Sequence, residues 1–238
     1  MLRTSSTLAC LASGESPKDV RSQMWYDCMR FYFVRHGESE ANTQHIISNR
    51  GLQHGLTDVG RQQANALAAR LKHVRFARIY SSPLLRALQT AEILSRELGA
   101  PCEVADALRE FDCGVWEGES SRAHGDDYGR LFRDWQAGWW NTRFEGGESL
   151  LDVQARFVPF VEQITREHGE ADNLLLVSHG GTLLGALPIL FRNLDHAAAF
   201  AHLPGNTDII IAEARPEGLV CLTWCDAVLA DVAKPSQG

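Results

Sequence analysis

The chain has 238 residues, 45% hydrophobic and 22% charged, enough to bury a core without disulfide or metal staples. Its 30 acidic and 23 basic residues give a formal net charge of −7, which speaks against a general nucleic-acid binder and against a protein of anionic membrane surfaces. A small anionic substrate is not excluded, because a local basic pocket can sit in an acidic protein. No apolar run reaches the roughly 18 residues of a membrane-spanning helix. The 6 cysteines are scattered, form no C-x-x-C pair and read as reduced intracellular thiols.

Residues 1–28 read as an N-terminal extension. Their patch Leu8 to Ala12 is too short and too polar for a secretory core, so a disordered tail or a later start at Met24 or Met29 is favoured over a transit peptide. From Met29 the chain alternates short apolar runs with helical periods. Phe31 to Val34 is a buried-strand run. Thr57 is a candidate N-cap, followed by Ala64, Leu67, Ala68 and Leu71 at helical spacing. Arg78 to Tyr80 is a short strand. Ser82-Pro83 predicts an N-cap with proline at the first helical position, and Leu84 to Leu98 continue that helix until Gly99 stops it. Cys102 to Ala105 predicts another strand, and Gly125 to Trp140 a partly helical, aromatic stretch. Ser149 caps a helix whose apolar face is Leu150, Val153, Phe157, Val161 and Ile164. Leu174 to Val177 is a strand, then Gly180-Gly181 opens a helix to about Phe191. Ile209 to Ala212 and Leu219 to Trp224 are final strands, and 233–238 is a loose tail.

This alternation predicts an α/β fold: a three-layer sandwich with a mostly parallel central sheet flanked by helices, within one domain of residues 29–232. Ligands of such sheets bind beyond the carboxyl ends of the strands. Three strands lead into chemically loaded residues there. Arg35-His36-Gly37-Glu38-Ser39 follows the first, with Asn42 close behind; Ser81-Ser82 and Arg86 follow the second; Ser178-His179-Gly180-Gly181 follows a later one. Phosphoryl chemistry needs this inventory. Arginine forks hold phosphate oxygens, a neutral imidazole can be a nucleophile, and helix-start amides such as that of Gly180 favour an anion. Each piece alone is more often structural. Their shared sheet edge carries the case.

The chain also resembles a family. Arg35-His36-Gly37-Glu38 is similar to the signature of the histidine phosphatase superfamily, in its phosphoglycerate-mutase-like branch. The resemblance runs from about Phe31 to Thr223 and includes Gly55-Leu56-Thr57, Ser81-Ser82-Pro83-Leu84 with Arg86, Leu108-Arg109-Glu110-Phe111, Trp116-Glu117-Gly118, Gly147-Glu148-Ser149 and Ser178-His179-Gly180. It implies that His36 is the nucleophile that becomes phosphohistidine. It implies that Arg35, Arg86 and His179 complete the phosphate pocket, that Asn42 and Gly180 contact phosphate, and that Glu110 protonates the leaving oxygen. Such an acid needs its proton, and burial or a nearby negative charge is the expected means of keeping it. No metal or other cofactor is implied. The chain has no H-E-x-x-H, P-loop, D-x-D or Cys-x5-Arg motif.

Glycolytic mutases of this family carry a long insertion after the glutamate block. Here only Glu119 to Glu145 separate the flanking motifs, giving a small helical cap at about 117–147 that resembles the phosphatase members. Arg122, Arg130, Arg133 and Arg143 with Trp135, Trp139 and Trp140 could form a substrate lid, but a small aromatic core with solvated arginines is favoured for most of them. His45, His54, His73, His124, His168, His196 and His202 read as surface or structural, and Cys221 and Cys225 as strand core. The expectation is a cytoplasmic, metal-independent phosphomonoesterase acting on a small phosphorylated metabolite. Its alternatives are a phosphoglycerate-type mutase and a phosphate- or phosphoprotein-binding module. Oligomeric state stays open, a homodimer included.

Overall fold

A computed structural model describes residues 28–229. The expected extension, apart from Cys28, and the expected tail lie outside the described residues. Seven strands form one sheet: β1 (Arg30–Arg35), β2 (Arg78–Ser81), β3 (Cys102–Val104), β4 (Asn173–Ser178), β5 (Ile209–Arg215), β6 (Gly218–Trp224) and β7 (Ala227–Val228). Seven α-helices accompany them: α1 (Glu40–Gln44), α2 (Asp58–Leu71), α3 (Leu85–Leu98), α4 (Gly125–Gln136), α5 (Leu150–Glu167), α6 (Gly180–Leu190) and α7 (His196–Phe200).

The spatial order is β3-β2-β4-β1-β5-β6-β7. The first four strands in the chain run parallel, because each is reached by a crossover through helices. The rest of the sheet is antiparallel: β5 runs against β1, and tight turns then reverse the chain into β6 and again into β7. The sheet is therefore mixed, with its parallel half carrying the sequence motifs.

Alternation along the central strands sets the three layers. Phe31, Phe33, Leu174 and Leu176 face one side, where α5, α6 and the α4 residues Leu131 and Trp135 pack. Tyr32, Val34, Leu175 and Val177 face the other, against Leu67 and Leu71 of α2 and Ala87, Ala91 and Leu94 of α3. Both faces are covered, which is why these strands read as unbroken apolar runs.

Capping follows the sequence with one exception. Thr57 Oγ1 accepts from Gly60 N–H at the start of α2, and Ser149 forms a capping box with Asp152 at the start of α5. Ser82 is not the cap of α3: that helix begins two residues after Pro83, with Leu84 at the N-cap position and no side-chain cap bond. The Ser82 hydroxyl is drawn instead into the site described below. Cys221 is buried in β6 as expected, but Cys225 sits in the turn after it at φ 49° rather than in a strand. The five described cysteines are unpaired. No helix among the described residues is long and apolar enough to cross a membrane.

The expected cap region lies in the segment between β3 and α5. It holds a 3₁₀ turn at Gly114–Trp116 and α4. Trp135 and Leu131 plug it into the main core, and Trp135 Nε1 donates to Thr142 O. Trp139, by contrast, is 66% exposed. The aromatic-core reading thus holds for Trp135 and not for Trp139.

Candidate active site

The carboxyl ends of β1, β2 and β4 lie side by side, with Arg35 opposite Ser178 and Ser81 opposite Val177. The chain leaves these ends in register, since His36 N–H donates to Ser178 O and Ser82 N–H to Val177 O. His36, Ser82 and His179 are thereby delivered to one point. The two imidazoles are buried with ring centroids 5.0 Å apart.

His36 is held at both nitrogens. Nδ1 lies 2.7 Å from Gly37 O, a bond that only a protonated Nδ1 can make. Nε2 lies 3.0 Å from Arg86 Nε, which donates to it. The partners therefore assign the Nδ1–H tautomer, with the Nε2 lone pair turned into the site. Burial, then the charges of Arg86 and Arg35, push its pKa well below the ordinary imidazole value. The ring is neutral and fixed, as a nucleophile requires. The loop can make this turn because Gly37 abuts Gly60: a Cβ at Gly37 would sit 2.5 Å from Gly60 O.

Arg86 reaches the site from the first turn of α3 and is 5% exposed. Its NH1 donates to Ser48 O (2.6 Å) and its NH2 to Asn49 Oδ1 (3.5 Å), so the 48–49 strap aims the fork. Burial lowers the guanidinium pKa to about 10, which still leaves it charged at neutral pH. Arg35 donates from NH1 to Pro204 O (2.8 Å). His179 Nε2 lies 2.7 Å from Ser82 Oγ, and that oxygen accepts a hydrogen bond from Leu84 N–H. Burial and the neighbouring cations push the His179 pKa well down too.

Two buried nitrogens here have no hydrogen-bond partner: Arg35 Nε and His179 Nδ1. Buried polar atoms are almost always paired. Two unpaired ones on residues that meet at one point mark a place built for an acceptor.

Glu110 stands over the start of α6. Its Oε1 accepts from Thr182 N–H (2.7 Å), Phe111 N–H (3.0 Å) and Thr182 Oγ1 (3.1 Å), and its Oε2 from Gly181 N–H (3.0 Å). The expectation of a burying or negatively charged setting is not what surrounds it. These contacts are donors, and they use two of the first-turn amides of α6. Gly180 is the remaining first-turn residue, and it lies against the Arg35 side chain. Gly181 is required by packing, since its Cβ would lie 2.4 Å from Phe111 Cε1 and 2.9 Å from Glu110 Oε1.

Asn42 is split between two tasks. Its Oδ1 closes a capping box with Ser39 and accepts from Asn206 Nδ2 (3.4 Å), which leaves its amide NH₂ for a ligand. Asn206 also donates to His36 O (3.0 Å). A cleft of about 410 Å³ opens above these groups. Its lining mixes the polar groups of Arg35, Asn42, His45, Asn49, Glu110, Ser121 and Asn206 with the half-buried rings of Tyr128 and Phe132.

Arg35, His36, Asn42, Arg86, Glu110, His179 and Gly180 thus reach this one region, whereas the cap arginines do not. Ser82, Asn49 and Asn206 carry contacts that the sequence reading did not assign. Ser82 stood in a recognised motif; the other two sit in loops without a periodic or compositional signal.

The pattern of the histidine phosphatase superfamily (branch 1) matches residues 31–227. The chain belongs to that family. It is a phosphatase of this superfamily, similar to the glucosyl-3-phosphoglycerate phosphatase of Mycolicibacterium vanbaalenii at 34% identity over 82% of this chain and 91% of that protein. The adenosylcobalamin/alpha-ribazole phosphatase of Salmonella typhimurium is 32% identical over 65% of this chain and 76% of its own length. Among solved structures, a mycobacterial glucosyl-3-phosphoglycerate phosphatase complexed with VO3 superposes with a TM-score of 0.72 at 27% identity, covering 83% of this chain and 98% of that one.

The cap arginines take the bland reading. None of Arg122, Arg130, Arg133 and Arg143 lines the cleft. Arg143 pairs with Asp152 at 2.7 Å and Arg130 faces Asp127 at 3.6 Å. His124 stacks on Trp116 with centroids 4.2 Å apart, a structural contact.

Proposed function

We propose that this phosphatase hydrolyses a small phosphomonoester through a phosphohistidine on His36, with residues 29–232 as one catalytic domain, the cap at about 117–147, and a cytoplasmic setting. The observation that carries the residue roles is the pair of unpartnered buried donors, Arg35 Nε and His179 Nδ1. A phosphate between them supplies the missing acceptors.

Ser82 fits that role for His179. Its oxygen already accepts from Leu84 N–H, so its own hydrogen is free to donate to His179 Nε2. The proton of neutral His179 then sits on Nδ1 and points to phosphate. The Asn42 amide and the Gly180 N–H add neutral donors.

In the first step His36 Nε2 attacks phosphorus in line. Arg86 Nε shifts from that nitrogen to an equatorial oxygen, and Gly37 O holds the proton on Nδ1 as the ring gains charge. The bond to the leaving oxygen breaks, and Glu110 gives that oxygen a proton. In the second step water attacks the phosphohistidine, Glu110 takes its proton, and phosphate leaves.

The test uses purified protein in EDTA with p-nitrophenyl phosphate, and with 3-phosphoglycerate plus bisphosphoglycerate. EDTA-resistant phosphate release is expected, lowered on the order of 10⁴-fold or more in His36→Ala. Isomerisation without net phosphate release would replace this reading by the mutase. Phosphate binding without turnover would replace it by a binding module.

A further inference from the structure

A backbone oxygen orients the nucleophile of this site, so whatever fixes that oxygen also governs the nucleophile. Gly37 O holds the His36 Nδ1 proton, with Nδ1 2.7 Å away. The same peptide group carries the Glu38 N–H at its other end, and that N–H donates to Gln63 Oε1 at 2.7 Å. Gln63 is half-buried in α2, one turn after Gly60. Gly60 lets that turn approach the loop: a Cβ there would sit 2.0 Å from Glu38 O. Residues three apart share a helix face, so the face of α2 that meets the loop at Gly60 also presents Gln63 to Glu38.

The loop is held at other atoms too. Gly37 N–H donates to Thr90 Oγ1 (3.1 Å), Asn206 Nδ2 to His36 O (3.0 Å) and Thr57 N–H to Glu38 O (3.0 Å). Those bonds fall on the neighbouring peptide groups. Gln63 Oε1 takes the N–H of the one group whose oxygen meets the imidazole. An amide that donates through its N–H gains electron density at its carbonyl oxygen, because resonance joins the two ends. Gln63 Oε1, Glu38 N–H, Gly37 O and His36 Nδ1–H are thus one polarised row. It matters most when Nε2 bonds to phosphorus. The ester phosphorus–oxygen bond then breaks with its electron pair on the leaving oxygen, the ring takes up positive charge, and the Nδ1 proton stays on the ring.

We propose that Gln63 is a positioning residue of the reaction, orienting His36 through the Gly37–Glu38 peptide group and stabilising the ring as it becomes phosphohistidine. This rests on the phosphatase reading above and deepens it. Gln63 does not line the cleft. It does through a peptide what a carboxylate does directly for the histidine of a serine hydrolase.

The experiment uses the full chain as wild type, Gln63→Met, Gln63→Asn, Gln63→Glu and His36→Ala. It measures kcat/KM for p-nitrophenyl phosphate, which reports formation of the phosphohistidine, and the inhibition constant of inorganic phosphate. Gln63→Met keeps the length and removes the acceptor; Gln63→Asn withdraws the amide by one methylene and serves if Gln63→Met folds poorly. Both should lower kcat/KM about three- to tenfold, the worth of one hydrogen bond, and leave phosphate inhibition within about twofold of wild type. Gln63→Glu keeps an acceptor oxygen and should stay within about twofold on both measures. The proton on His36 Nδ1, followed by NMR in ¹⁵N-histidine-labelled protein and assigned by its loss in His36→Ala, should move upfield in Gln63→Met and Gln63→Asn but not in Gln63→Glu. An unchanged kcat/KM in the two acceptor-removing variants would overturn the proposal and leave the phosphatase reading standing. So would equal losses of rate and phosphate affinity, which would make Gln63 a brace for the whole loop, or a Gln63→Glu as slow as Gln63→Met. Undiminished turnover by His36→Ala, or none by the wild type, would overturn both.

Discussion

A single imidazole can be nucleophile or bystander, and its two hydrogen bonds decide which. Gly37 O on Nδ1 and Arg86 Nε on Nε2 leave His36 neutral with its lone pair aimed inward. The sequence carried this residue plainly, because Arg35-His36-Gly37-Glu38 follows a strand and belongs to a motif. It did not carry the Gly181 and Thr182 partners of Glu110, which come from α6 about seventy residues away. Those donors give a prediction. If Glu110 protonates the leaving oxygen, Glu110→Gln should slow alkyl phosphates by about 10²–10⁴-fold and p-nitrophenyl phosphate far less, since p-nitrophenolate leaves without a proton. The check is kcat for both ester types in both proteins. Equal losses would remove Glu110 from that role.

At the level of elements, the motifs resolve into two kinds. Those at the ends of β1, β2 and β4 supply the reaction centre. Others only hold it. Glu148, conspicuous in Gly147-Glu148-Ser149, does not enter the cleft; it accepts from Arg109 NH2 (2.9 Å), Arg156 Nε (3.0 Å), Arg156 NH2 (3.1 Å) and Asp112 N–H (3.0 Å). Arg156 in turn donates to Ala107 O, so α5 is bolted to the loop that presents Glu110. Sequence position alone could not separate these kinds, because a buried ion pair and a catalytic carboxylate share one residue type. Burial pushes the Glu148 pKa up, but the hydrogen bonds and charge of Arg156, with Asp112 N–H and Arg109, outweigh it and hold the carboxyl below its ordinary value. Its stabilisation is therefore present above the unfolded carboxylate pKa and is lost as pH falls through the lower folded value. Glu148→Gln should destabilise by about 2–3 kcal/mol at neutral pH, somewhat under the range for fully buried pairs because both partners keep some water. Urea unfolding of the two proteins at pH 7 checks this. Starting points of helices were legible where a cap serves its own helix, as at Thr57 and Ser149. Ser82 departs from that rule because the site takes its hydroxyl.

For the whole molecule, the layered α/β plan was readable from strand runs buried on both faces, while the antiparallel half was not fixed by periodicity alone. Net charge of −7 likewise says nothing about the cationic pocket of Arg35 and Arg86 inside it. That pocket has a global consequence. His36 and His179 stay neutral in the fold to well below the usual imidazole value, whereas the unfolded chain protonates both below about 6.5. The unfolded state then binds more protons, so stability falls as pH drops through this window, by up to about 2.7 kcal/mol per pH unit for two protons. Urea midpoints at pH 7.5, 6.5 and 5.5 should decline accordingly, and His179→Asn should reduce the decline by about half. A flat profile would mean that the two rings are not kept neutral by burial.

The phosphohistidine itself is the most direct target. Rapid acid-free quenching of the protein with ³²P-labelled ester, followed by peptide mapping, should find one alkali-stable, acid-labile phosphoryl group on the peptide bearing His36, absent in His36→Ala and retained in Glu110→Gln with p-nitrophenyl phosphate. Label on another residue, or full turnover by His36→Ala, would contradict nucleophilic catalysis by His36.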